Sequence, residues 1–206
     1  MKRKTKKALK QSILAAFMMA GILVIISLAS TDWGKSPMGK QYAGLSEDVW
    51  SYKPVVETYA EQYGVSEHVD VLLAMMMQES GGRGNDPMQS SESYCGSRGC
   101  IDDPELSIKQ GVRYFSHTLE AANGDVKLAI QSYNFGKGFI DYVKANSGTY
   151  SQDAAIAFSQ QMYKTASDKS KYSCLRESAE QYDACYGDIY YVRDVLEYRK
   201  AAANDS

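Results

Sequence analysis

Two kinds of apolar pattern occur along this chain of 206 residues. The first is an unbroken run, Ile13 to Ala29, in which 17 consecutive residues carry no charge. The second begins near residue 46, where apolar positions recur three and four apart, the spacing of one buried helix face. Pro54 suits a first turn and predicts a helix to about Tyr63, stopped by Gly64. Ser66 is placed to cap a second helix, in which Val69, Leu72, Leu73 and Met76 form a single stripe and Gly81-Gly82 end it. A long loop from about Gly82 to Asp103 follows, and Pro104 opens a third helix through Ile108, Val112, Phe115 and Leu119. Asn123-Gly124 breaks that pattern, and Asp125 caps a fourth helix carrying Val126, Ala129, Ile130 and Tyr133. After Gly136 and Gly138 a short helix runs through Tyr142 and Val143, and another covers roughly Gln152 to Ala166. The Cys174–Cys185 segment reads as a loop, and Asp188 caps a last helix through Val192 and Leu196. Few runs alternate as strands do, so the fold class is mainly α, a single globular domain over residues 46–200 with a tail at 201–206.

Charge divides the chain where the two patterns meet. Six of its 23 basic side chains (Lys2, Arg3, Lys4, Lys6, Lys7 and Lys10) lie in the first 30 residues, which hold no acid. The remaining 176 residues therefore carry 17 basic against 25 acidic side chains, a formal charge of −8 where the whole chain shows −2. A basic tip before an apolar run is the pattern of an export segment, and it keeps the tip in the cytosol and the body outside. Residues 1–30 are expected to serve either as a signal peptide cut after Ala29 or as a retained membrane anchor, with residues 31–45 as a Gly-rich spacer. The chain is expected at the cell surface, tethered or secreted. An acidic body argues against nucleic-acid partners, which need clustered Lys and Arg.

Export changes how the cysteines read. Cys95, Cys100, Cys174 and Cys185 make an even set that allows two disulfides in three connectivities. The local pairing Cys95–Cys100 and Cys174–Cys185 is preferred, since each would close a short polar loop. The spacing is not that of a zinc site and the only histidines are His68 and His117, so no metal and no cofactor is expected.

Glu79 breaks the apolar pattern. It lies seven residues after Leu72, four after Met75 and three after Met76, on the face that packs inward. It also closes its helix, at the negative end of the dipole. Both surroundings disfavour the carboxylate and suit a general acid near neutral pH. An exposed Glu at a fraying end has the same periodicity, so position alone leaves two readings.

Three motifs in order narrow them. Glu79-Ser80-Gly81-Gly82 is followed by Asp86-Pro87-Met88-Gln89 and then by Ser132-Tyr133-Asn134-Phe135-Gly136. Together these resemble the lysozyme-like superfamily that cleaves peptidoglycan, which includes goose-type lysozymes and soluble lytic transglycosylases. The string is similar to the lysozyme-like domains of Gram-positive bifunctional wall hydrolases and to the pneumococcal vaccine antigen A group. The resemblance implies a lysozyme-like fold and cleavage between N-acetylmuramic acid and N-acetylglucosamine, with Glu79 as the catalytic acid. It implies that Ser80 holds the site by hydrogen bonding, that Gln89 lines the sugar cleft with Met88 behind it, and that Tyr133 points its hydroxyl at Glu79 or substrate. Asn134 and Gly136 would shape the turn that lets Tyr133 reach the cleft. The departure is at Asp86-Pro87, where an acid stands in place of the family's Gly.

A two-carboxylate glycosidase needs a second acid at about 5–5.5 Å for retention or about 6.5–9.5 Å for inversion. Asp86, Glu92, Asp102 and Asp103 all follow Glu79 in the loop, and spacing singles out none of them. A lytic transglycosylase needs no second carboxylate, because the muramic acid 6-hydroxyl attacks intramolecularly, so hydrolysis and transglycosylation both stay open. No P-loop or G-x-S-x-G is present, and a papain-like peptidase is excluded because no His follows Cys174 or Cys185. Pairs among the sixteen tyrosines, such as Tyr190-Tyr191, offer flat faces to sugars. The expected partners are peptidoglycan strands and the membrane. The competing reading is a non-catalytic surface protein whose cleft binds wall glycan or a partner. Retention of Glu79 speaks for the enzyme.

Overall fold

The computed structural model describes residues 44–204. The predicted export segment at 1–30 and most of the 31–45 spacer lie outside them. Among the described residues no helix is long and apolar enough to cross a membrane. They form ten α-helices joined by turns and loops, and no strand. These are α1 (Glu47–Ser51), α2 (Lys53–Gln62), α3 (Val69–Glu79), α4 (Ser91–Cys95), α5 (Pro104–Ala121), α6 (Val126–Phe135), α7 (Gly138–Asn146), α8 (Gln152–Thr165), α9 (Glu177–Glu180) and α10 (Tyr191–Asn204).

The caps follow local chemistry. Side chains of Ser46, Asp103, Asp125 and Ser151 accept from backbone N–H groups in the first turns of α1, α5, α6 and α8, satisfying donors that a helix start leaves open. Ser66 does not cap α3. It opens a 3₁₀ turn, Ser66–His68, that feeds into Val69. Two loops hold short helices the pattern did not show, α4 and α9, each too brief to display a period. Leu45 is buried at the start of the domain, and α10 runs to Asn204, past the expected end at residue 200.

The core is built around α3. The sequence pattern predicts one buried stripe, but every residue from Val71 to Met76 is buried. The reason is tertiary: α1, α2 and α10 all pack against α3, so it has little solvent face. Around it α5 packs on both α2 and α6, and α6 meets α7 and α10. A second aromatic layer joins Phe135, Phe139 and Phe158, with ring centroids 5.2 to 5.5 Å apart. Disulfides link Cys95 to Cys100 and Cys174 to Cys185, closing the two segments that lack long helices.

Candidate active site

Burial of α3 from Val71 to Met76 brings its last residue, Glu79, to a cleft of about 580 Å³. The end of α6 contributes Tyr133 and Asn134. The loop after α3 contributes Asp86 and Gln89, and α4 with its disulfide loop brings Ser91, Glu92 and Arg98. The 171–187 segment closes the far side with Lys171, Tyr172, Leu175, Tyr186 and Gly187. Glu79 is half-buried at the floor. Burial pushes its pKa up to about 7, the Tyr191 hydroxyl pulls it down, and the carboxylates of Asp86 and Asp188 push it up again. A carboxyl poised there can give a proton and take one back at neutral pH.

The hydroxyl that reaches Glu79 belongs to Tyr191, which donates to Oε1 at 2.6 Å. Tyr133, expected to point at the acid or at substrate, instead donates to the Met88 carbonyl at 2.8 Å. Its ring lines the cleft, and its burial pushes its pKa well up, so it stays a neutral donor. Tyr191 is 2% exposed and cannot stack on a sugar. Its signal in the sequence is its register: Tyr191, Val195 and Tyr198 share a face of α10, all three buried, and a hydroxyl on a buried face needs a partner.

The 80–91 loop is held by short hydrogen bonds. Ser80 Oγ donates to Pro87 O at 2.8 Å and accepts from Gly82 N–H at 3.0 Å. Met88 is fully buried, with its N–H on Ser107 Oγ at 3.0 Å. Gln89 is exposed at the cleft with φ of 48°, in the left-handed region, and its Nε2 returns to Asp86 O at 2.7 Å. A non-glycine residue held in that region beside a cleft is strain of the sort that fixed sites store.

The four carboxylates left open by spacing separate in space. Asp86 and Glu92 line the cleft, whereas Asp102 and Asp103 do not. Asp103 caps α5 through Glu105 N–H at 3.1 Å. Glu92 is exposed and pairs with Arg98 at 2.8 Å. Asp86 is the anchored one. Its Oδ1 accepts from Ser90 N–H at 2.9 Å and from the Ser107 hydroxyl. Its Oδ2 accepts from Ser91 N–H at 3.1 Å and Ser91 Oγ at 2.6 Å. Burial would raise its pKa, but the hydroxyls of Ser107 and Ser91 and the backbone donors outweigh it and hold the pKa below the ordinary value. Beside exposed Glu92, the cleft thus holds one carboxyl driven toward the neutral form and one fixed as the anion.

Opposite them, α6 grips the 187–188 segment. Asn134 Oδ1 accepts from Asp188 N–H at 2.8 Å, and Gln131 Nε2 donates to Asp188 O at 2.9 Å. Gly187 has φ of 61°, and a Cβ there would sit 2.7 Å from Asn134 Oδ1 and from the Phe135 ring, so only glycine fits. Asn134 therefore works as a clamp on the facing wall more than as a shaper of its own turn. Arg176, on the disulfide-closed stretch, donates to Asp188 Oδ2 at 2.6 Å and reaches buried Asp194 as well. Asp188 Oδ1 accepts from Tyr190 N–H at 2.9 Å, in the turn just before α10, and the residue expected to cap that helix carries the ion pair with Arg176. Among the described residues no cluster of His, Cys, Asp and Glu is disposed to hold a metal.

A central helix that ends in a half-buried acid facing a helical cleft is the architecture of lysozyme-like proteins. Residues 46–199 match that family, and the chain belongs to it. Among particular relatives, the bifunctional muramidase/DL-endopeptidase CwlT of Bacillus subtilis is 42% identical over 159 residues, covering 77% of this chain and 44% of CwlT. The chain thus spans less than half of that relative's length. The uncharacterized membrane protein YocA of the same organism is 38% identical over 188 residues, 89% of this chain and 83% of YocA. Pneumococcal vaccine antigen A of Streptococcus pneumoniae is 35% identical over 103 residues, 48% of this chain and 50% of that protein. A crystal structure described as similar to a lipoprotein of the NLP/P60 family, from Staphylococcus aureus, superposes with a TM-score of 0.66 at 34% identity, covering 76% of this chain and 54% of the other.

Proposed function

We infer that the chain is a peptidoglycan glycosidase that cuts the bond between N-acetylmuramic acid and N-acetylglucosamine, with Glu79 as general acid and then base. The observation that carries this is the Glu79 carboxyl at the cleft floor, held by Tyr191 with its pKa near 7. Family membership and the muramidase named among the relatives support the substrate class. Glu79 protonates the glycosidic oxygen, and its carboxylate then takes a proton from the incoming hydroxyl. That hydroxyl is water in a muramidase and the muramic acid 6-hydroxyl in a transglycosylase. Both oxygens of Asp86 are already engaged by donors, which supports a fixed anion that stabilises positive charge at the anomeric carbon over a nucleophile. Gln89 and Tyr133 line the path of the sugars. The 1–30 segment would hold the enzyme at the outer face of the membrane, in keeping with a relative named as a membrane protein.

The test is clearing of a gel containing cell walls. Wild type should clear it and Glu79→Gln should not, while keeping its fold. Clearing by the variant would show that another group supplies the proton. Mass spectrometry of the released fragments then reads the attacking group: a 1,6-anhydro end for the muramic hydroxyl, a reducing end for water.

A further inference from the structure

Beyond Tyr133 the cleft does not end. A smaller hollow of about 280 Å³ adjoins it, sharing Gln89, Glu92, Tyr133 and Asn134 with the cleft and adding Ser93 and Tyr114; Glu92 there is paired with Arg98. Ser93 and Tyr114 also line a third hollow of about 360 Å³. The rings of Tyr114 and Tyr133 meet edge to face with centroids 5.4 Å apart, so one aromatic contact separates the floor of the cleft from this outer pocket. Its character differs from the cleft. Arg113 and His117 stand one turn apart on α5, on the same face. Lys137, at the start of α7, reaches across with Nζ 5.9 Å from the Tyr114 ring centroid. Tyr94, 52% exposed, forms the outer wall. No Asp or Glu lines the pocket, and among the described residues neither Arg113 nor Lys137 forms an ion pair.

Unpaired cations gathered in one hollow are out of place on a body of formal charge −8. Such a domain is repelled at long range by an anionic wall, so it needs a local point of attraction. We propose that the Arg113–His117–Lys137 pocket is a subsite for a carboxylate of the stem peptide borne by the glycan strand under attack. The chemistry fits at each part. A guanidinium takes a carboxylate through two parallel N–H donors, and an ammonium adds a point charge. Tyr94 and Tyr114 supply apolar walls for the peptide's carbon chain. Continuity with the Glu79 cleft makes the anion one carried by the substrate itself. The inference rests on the glycosidase reading.

The test separates the two. Full-length chain carrying Glu79→Gln, which binds without turnover, is titrated with soluble wall glycan strands freed of teichoic acid, either with stem peptides intact or with peptides removed by an amidase, which leaves only the lactyl carboxylate at each muramic acid, on the sugar and not out along a peptide. Peptide-bearing strands should bind about five- to ten-fold tighter, the scale of two exposed charge contacts, and added salt should shrink that preference. Adding Arg113→Ala and Lys137→Ala should abolish the preference and leave binding of stripped strands unchanged; Arg113→Glu should invert it. Equal binding of the two strands overturns the proposal, as does a preference that survives the double substitution. A preference seen only when teichoic acid is retained also overturns it, because it assigns the pocket to phosphate. Failure of wild type to clear walls would remove the glycosidase reading while this binding difference still stood.

Discussion

Substituting Glu79 by Gln should make the protein more stable, and by an amount that depends on pH. The folded pKa is near 7 against 4.5 for an unburied carboxyl. For an acid raised on folding, the stabilising form is the protonated one. Its contribution is complete below the unfolded pKa and is lost as pH rises through the folded one. A gap of about 2.5 units at about 1.36 kcal/mol each amounts to ~3 kcal/mol, surrendered between about pH 4.5 and pH 7. Gln is nearly isosteric, accepts the same Tyr191 hydroxyl and never ionises. The variant should match wild type near pH 4.5 and exceed it by ~3 kcal/mol at pH 8, or ~6–12 °C in Tm for a domain of this size. Thermal unfolding of both proteins from pH 4.5 to 8 measures it. A difference that stays flat with pH, or a variant less stable at pH 8, would refute the claim that Glu79 is held toward its neutral form. The same substitution removes the proposed catalytic acid, so the gain in stability and the loss of clearing should appear in one protein.

Tyr191→Phe removes the only hydroxyl seen donating to Glu79 among the described contacts, worth ~1.5–3 kcal/mol to the anion. The alkaline limb of the pH–rate profile should therefore move up by about 1–2 units, and a limb that moves down would reverse the assignment. Asp86→Asn strips a carboxylate from the Ser90, Ser91 and Ser107 donors. Urea unfolding should show a loss of ~2–3 kcal/mol, and the alkaline limb should move down because one raising charge is gone. Gly111→Ala sits mid-helix, where alanine normally helps by ~1 kcal/mol. Here its Cβ would lie 2.7 Å from Met88 Cβ and 2.9 Å from Tyr133 Oη, so stability should fall by ~1–3 kcal/mol and wall clearing should drop with it. A stabilised, fully active variant would show that the loop and Tyr133 move aside freely.

How much was legible follows from the range of each interaction. Asp125, read as a cap, accepts from a backbone donor three residues away, and such local contacts are written in the order of residues. Glu79 stood out for the same reason, as an acid on an apolar face one turn from Met75 and Met76. The short helices α4 and α9 were not visible, because five and four residues make too little of a period to show. The partners within the site were not visible either. Glu79 meets Tyr191 across 112 positions, and Asn134 meets Asp188 across 54. The register of Tyr191 marks a hydroxyl on an inward face, but no local pattern names the group it meets across the fold. Spacing likewise could not choose among Asp86, Glu92, Asp102 and Asp103, since what distinguishes Asp86 is a set of donors that includes Ser107, 21 residues on in α5. By itself the sequence determined the helical class, an acid set in the apolar pattern at the end of α3 and the separation of a basic tip from an acidic body. Those depend on periodicity and charge, which are properties of neighbours. The tertiary structure decided which hydroxyl holds the acid, which carboxylate is fixed as the anion and where the unpaired cations gather. Those depend on which distant segments packing brings within hydrogen-bond reach.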